Sequence, residues 1–175
     1  LNLIQIQMDA ITNRVANSTL ITIDLEDFYP SGDRVVLDIA PWLYQELILK
    51  EKDFRNFVSE HSWEQYTNCF VALTCSADAI IPSWAYLFVS SKLAPFAKAM
   101  VVGDLNLLET VLFVDIINKI DLSLYKDRPV IIKGCSKKTI PQSAYANLVQ
   151  KLQPHVKSIM YGEACSNVPL YKKSS

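Results

Sequence analysis

The sequence predicts an α/β protein: a mostly parallel sheet with helices on both faces, built from two pseudo-symmetric βαβ units and an N-terminal antiparallel β-hairpin. Three observations predict it. Short runs rich in Val, Ile and Leu alternate with helical patterns, as in a parallel sheet covered on both sides. "TCSADAIIPSWAY", Thr74 to Tyr86, is echoed by "GCSKKTIPQSAY", Gly134 to Tyr145. "YPSGD", Tyr29 to Asp33, is a turn signal between two strand-like runs.

Those two runs, Leu20 to Leu25 and Arg34 to Ile39, form the expected hairpin. A helix precedes them. Helical segments follow over Trp42 to Ile48, with Pro41 at its start, and over Glu51 to Glu60. Phe70 to Thr74 is a short apolar strand. Pro82 opens the next helix, whose Trp84, Leu87, Phe88 and Ser91 share one face. A strand follows at Met100 to Val102. Leu105 to Lys119 reads as an amphipathic helix with Leu108, Val111, Leu112 and Ile116 inward. The second unit repeats the plan: strand Val130 to Ile132, helix Pro141 to Gln153, strand Ser158 to Tyr161, then a tail.

The repeat spans residues 70–104 and 130–163. Aligned on Tyr86 and Tyr145, Lys92 meets Lys151, Pro95 meets Pro154, Gly103 meets Gly162 and Asp104 meets Glu163. One residue of loop difference brings Cys75-Ser76 onto Cys135-Ser136, and Pro82 answers to Pro141. Right-handed crossovers would set the two lead strands side by side, with ligands bound beyond their carboxyl ends. Neighbouring strands lie about 4.8 Å apart. Cys75, Cys135 and Cys165 would then gather at one edge as metal-ligating thiolates. Asp78, Asp104, Lys133 and Glu163 would be ligand-binding residues beside them. Capping and turn chemistry compete for Asp104 and Glu163. Cys69 lies at the other end of its strand and reads as core.

The 175 residues, half of them hydrophobic, suit one domain, 1–175, with a full core. "LNLIQIQ" reads as a tag or mis-assigned extension before a natural start at Met8. A net charge of −1 favours neither nucleic acid nor a membrane surface. Four cysteines without a framework spacing indicate reduced thiols and a cytoplasmic location. The four glycines form no nucleotide-binding loop. His61 and His155 read as structural, and the acidic "DLEDFYP" as a solvated turn.

"ANSTLITIDLEDFYPSGDRVV", "LILKEKDFR", "ALTCSADAIIPSWAY" and "SIMYGEACSNVPLYK" together resemble the bacterial family known as domain of unknown function 2480, from about Met8 onward. The resemblance implies a bacterial cytoplasmic protein. It also implies an association with iron–sulfur assembly, and brings no catalytic residues. Three functions are therefore expected, in order. The first is a thiolate protein binding zinc, iron or an iron–sulfur cluster, with a partner in iron–sulfur assembly. Level with it stands a non-enzymatic interaction scaffold. The third is a cysteine-dependent enzyme, which lacks an evident base. A homodimer is compatible with all three.

Overall fold

The computed structural model describes residues 20–134 and 137–174. Among them the chain forms a mixed α/β structure with four α-helices and two mostly parallel sheets. The strands are β1 (Ile21–Ile23), β2 (Arg34–Asp38), β3 (Phe70–Thr74), β4 (Ala99–Val102), β5 (Pro129–Ile132), β6 (Ser158–Glu163) and β7 (Ser166–Lys172). The helices are α1 (Glu51–Glu60), α2 (Ser83–Leu93), α3 (Leu105–Lys119) and α4 (Gln142–Leu152).

The chain divides into two compact units. The first comprises the described residues within Leu1–Leu25, Asp121–Lys137 and Val149–Ser175. It holds a four-stranded sheet in the order β1-β5-β6-β7, parallel except for the final β6–β7 hairpin. The second comprises Glu26–Ile120 and Lys138–Leu148 and holds a three-stranded parallel sheet, β2-β3-β4.

The three-stranded sheet is covered on both faces. Phe70 to Leu73 are all buried, as expected of a central parallel strand with no solvent face. Alternation sends Val71 and Leu73 into a cluster with Phe54 and Val58 of α1 and Ala85, Val89 and Leu93 of α2. Phe70 and Ala72 point the other way, onto Leu108 and Leu112 of α3. Asp104 caps α3, its carboxylate accepting the Leu107 amide at 2.8 Å.

Several expectations are corrected. β1 and β2 do not form a hairpin: each is parallel to a distant strand, in a different sheet. The Tyr29–Asp33 segment is instead held by Arg34, whose guanidinium donates to the carbonyls of Pro30 (2.8 Å) and Gly32 (2.6 Å). That guanidinium also pairs with Glu109 of α3 at 2.6 Å. Nor are the lead strands β3 and β5 neighbours. Each already has a parallel strand on both edges, which leaves no edge for the other. Only a short 3-10 turn, Ala40–Trp42 with Pro41 in its first positions, forms there, and residues 43–48 are not helical. Tyr44 and Ile48 close a tight turn across Gln45 and Glu46, both left-handed at φ 52° and 56°. The buried stripe of α2 is Ala85, Val89 and Leu93, whereas Leu87 is exposed. On α3, Val111 faces solvent. Residues 166–172, expected as tail, form β7. The helix expected before Leu20 lies outside the described residues.

Candidate functional site

Several backbone hydrogen bonds recur in the two sheets at an offset of 59 residues. Asn68 N–H donates to the Phe96 carbonyl, and Asp127 N–H to that of His155. Lys98 N–H donates to Cys69, and Lys157 N–H to Arg128. Cys69 N–H donates to Tyr66, and Arg128 N–H to Tyr125. Asn68 and Asp127 are both left-handed, as are Gly103 and Gly162. Phe70 pairs with Ala99, and Pro129 with Ser158. This register needs no loop gap. It sets Cys75 against Gly134, and Cys135 lies outside the described residues.

The residues expected to form one site end different strands. Cys75 follows β3 at the carboxyl edge of the three-stranded sheet, with Asp104 after β4 on that same edge. Asp78 is exposed in the loop beyond Cys75. Glu163 ends β6 in the four-stranded sheet, Lys133 follows β5, and Cys165 is exposed in the β6–β7 turn. Cys135 lies outside the described residues. Among the described residues, no group of three His, Cys, Asp or Glu side chains is placed to hold a metal ion.

Cys75 is half-buried, its thiol 3.9 Å from the Ala77 carbonyl. Burial, and then the neighbouring Cys75 and Asp38, push the Tyr86 hydroxyl up. Asp38 ends β2 and was not singled out in the sequence. It accepts the amides of Ala40 (3.0 Å) and Ser76 (2.9 Å) and the Ser76 hydroxyl (2.5 Å). Burial pushes its carboxyl up, but the Ser76 hydroxyl and the two amides outweigh this and hold it below the usual carboxylate range. Asp24, which follows β1, pairs with Lys133 at 2.6 Å rather than lying in a solvated turn. Gly162 has φ 126°, and a Cβ there would meet the Ser166 carbonyl oxygen at 2.6 Å, so the turn after β6 requires glycine.

A second feature has the concave form that binding sites take. A cleft of about 440 Å3 lies beside α1, lined by Trp42, Leu43, Tyr44, Gln45, Asp53, Asn56, Phe57 and Glu60. Positions 53, 56, 57 and 60 follow helical spacing, so α1 offers them as one face while Phe54 and Val58 anchor the helix in the core. The left-handed turn at Gln45-Glu46 forms the opposite lip, with Lys50 Nζ 3.0 Å from the centre of the Tyr44 ring. Behind the cleft the Trp42 ring packs edge-on against Phe54 (5.8 Å), His61 (5.1 Å) and Trp63 (6.3 Å). His61 ends α1 and lies 2.9 Å from the Tyr66 hydroxyl, and burial holds its imidazole below its usual range. Of the lining residues, Tyr44 and Phe57 leave 46% and 44% of their surface exposed, and Leu47 and Ile48 of the adjoining turn leave 60% and 56%. The density of Trp and Tyr between residues 42 and 66 was the available signal. The mistaken helix over 42–48 hid it.

A family profile described as protein of unknown function (DUF2480) matches residues 9–173, nearly the whole chain. The chain belongs to the DUF2480 family. Neither the curated proteins nor the solved structures compared with this DUF2480 chain contain a match. Among its described residues, no helix is long and apolar enough to cross a membrane.

Proposed function

We propose that this chain is a non-enzymatic interaction protein that takes a short segment of a partner protein into the cleft beside α1. The observation that carries the reading is the cleft itself, lined by exposed Tyr44 and Phe57, with exposed Leu47 and Ile48 in the turn that follows Tyr44. Exposed apolar side chains grouped around a concavity mark interaction surfaces. Asp53 and Glu60 add negative charge to an apolar lining. The fitting occupant is a peptide with one aromatic or aliphatic anchor next to Lys or Arg.

Panning a random heptapeptide library on the immobilised protein tests this. Basic-apolar sequences should be enriched and should lose binding to an Asp53→Lys/Glu60→Lys variant. Enrichment of unrelated sequences, or binding that survives the double charge reversal, would sink the reading.

The same reading takes the two sheets as copies of one ancestral unit. The backbone bonds recurring at an offset of 59 support it. The cleft then sits on the segment between β2 and β3, upstream of where that pattern begins. Function on an addition to a shared scaffold is the usual arrangement. The thiolate reading, with zinc, iron or an iron–sulfur cluster on Cys75, Cys135 and Cys165, ranks below because its premise was adjacent lead strands. Stoichiometric metal in anaerobically purified protein would restore it.

A further inference from the structure

Helix α1 directs its arginine away from the cleft. Arg55 pairs with Glu51 at 2.9 Å, and its guanidinium lies 5.3 Å from the centre of the Trp84 ring and 4.9 Å from that of Phe88. The cleft face of the helix, Asp53, Asn56, Phe57 and Glu60, carries two carboxylates and no cation. Among the described residues neither Asp53 nor Glu60 has an ion-pair partner, whereas Glu51 of the same helix does. Phe57 stands between them, four residues after Asp53 and three before Glu60. Those spacings are about 6 and 4.5 Å along the axis, and both make neighbours on the helix surface. Among the described residues the Phe57 ring pairs with no other ring and no cation. A ring face flanked by two carboxylates attracts a cation through both its quadrupole and their charge. The two carboxylates outnumber the one ammonium of the lip, Lys50 on the Tyr44 ring, so the cleft is net negative.

We propose that the cation this cleft takes from a partner segment is an N-methylated lysine, its ammonium seated over Phe57 between Asp53 and Glu60. The proposal rests on the peptide reading above and narrows its basic residue to one chemical group. Three of the eight lining side chains are aromatic: Trp42, Tyr44 and Phe57. Ring faces are poor hydrogen-bond acceptors. An unmodified ammonium, with its three N–H donors, would give up water there without replacing it. Trimethylation removes the donors, keeps the charge and adds methyl groups that pack on rings. The carboxylates on either side then act through charge alone. Asp53, Phe57 and Glu60 are all exposed, so the cleft grips one side chain and leaves the segment that bears it in solvent. A free small molecule is ordinarily buried over most of its surface, which this open lining does not provide.

A heptapeptide enriched by panning is synthesised in three forms to test this. Its basic residue is lysine, trimethyl-lysine, or the neutral isostere with a tert-butyl group in place of the trimethylammonium. Calorimetric titration of the full chain should show the trimethyl form binding about tenfold more tightly than the neutral isostere and about fivefold more tightly than the lysine form. This comparison needs no variant of the protein. Phe57→Leu, at an exposed position, should then abolish most of the preference for the trimethyl form, with the far-UV spectrum unchanged. Equal affinity for lysine and trimethyl-lysine, or a preference that survives Phe57→Leu, overturns the proposal and leaves the peptide reading standing. A neutral isostere that binds as tightly as either cation overturns both. Panning that enriches no basic-apolar sequence sinks the peptide reading, and this proposal with it.

Discussion

At the carboxyl edge of the three-stranded sheet, Asp38 is satisfied by two amides and a hydroxyl. At the matching place in the four-stranded sheet, Asp24 is satisfied by the ammonium of Lys133. Thr74 occupies the position 59 residues before Lys133 and brings no charge. One structural demand, an aspartate held at a strand end, is met once by hydrogen bonds and once by an ion pair. The sheets also differ in what surrounds them. The three-stranded one carries α1 and the cleft between its first two strands. The four-stranded one is closed on one side by β7. Two sheets that share several backbone hydrogen bonds at one offset therefore carry different surfaces.

Core truncations should separate the two units most. Leu73 and Ile132 hold matching positions and are both fully buried. Truncating either to Ala should cost about 2–5 kcal/mol. All three tryptophans, Trp42, Trp63 and Trp84, belong to the unit of the three-stranded sheet. Leu73→Ala should shift the urea midpoint by both fluorescence and circular dichroism. Ile132→Ala should shift dichroism far more than fluorescence. Identical shifts by both probes for both variants would mean that the units unfold as one.

The ion pairs come next. Arg34 and Glu109 are 16% and 11% exposed, and Glu109 also accepts from the Tyr29 hydroxyl at 3.2 Å. Removing one partner leaves a buried charge alone, so Glu109→Ala should cost about 3 kcal/mol. Lys133, at 34% exposure, is better solvated, and Asp24→Ala should cost about 1 kcal/mol. Equal costs by denaturant titration would show that burial does not separate the two pairs.

The smallest effect is a pH dependence confined to one side. Burial depresses the His61 pKa in the fold. The unfolded imidazole takes up a proton near pH 6.5, whereas the folded one resists. The His61 contribution is therefore fully present above about pH 6.5 and is lost as pH falls through the lower folded value. Fifty-nine residues on stands Ile120, which cannot titrate. The fluorescence-detected urea midpoint should fall from pH 7.5 to pH 5.5, and His61→Gln should flatten part of that fall. An unchanged slope in the variant would remove His61 from the cause.

The local elements were largely legible. Phe70–Thr74 announces a buried strand, Asp104 a cap and Gly162 a special turn. What single-sequence reading could not supply was pairing at long range. Nothing in Ile21–Ile23 shows that its neighbour is Val130–Ile132, because apolar strands are interchangeable partners until the whole chain is arranged. Helices α2 and α3 carry apolar residues nearly all round, so periodicity did not choose the buried face. That is why Leu87 shares the expected face of α2 with Trp84 and Phe88 and yet is exposed, and why Val111 faces solvent. The cleft was missed because Pro41 suits a helix start. Only the left-handed Gln45-Glu46 pair shows that the chain reverses there.

The pairing of β1 with β5 has a consequence for the order in which the molecule can be made. Ile21 meets Val130, more than a hundred residues later in the chain. At about 5–20 residues per second of synthesis, β1 waits roughly 5 to 20 seconds for its partner. Every strand of the three-stranded sheet, with α1, α2 and α3, has left the ribosome by then. The strands of the three-stranded sheet can therefore pair before β1 can meet β5. A message broken shortly after the codon for Lys119 would release a chain that holds β1 without β5, the strand it pairs with.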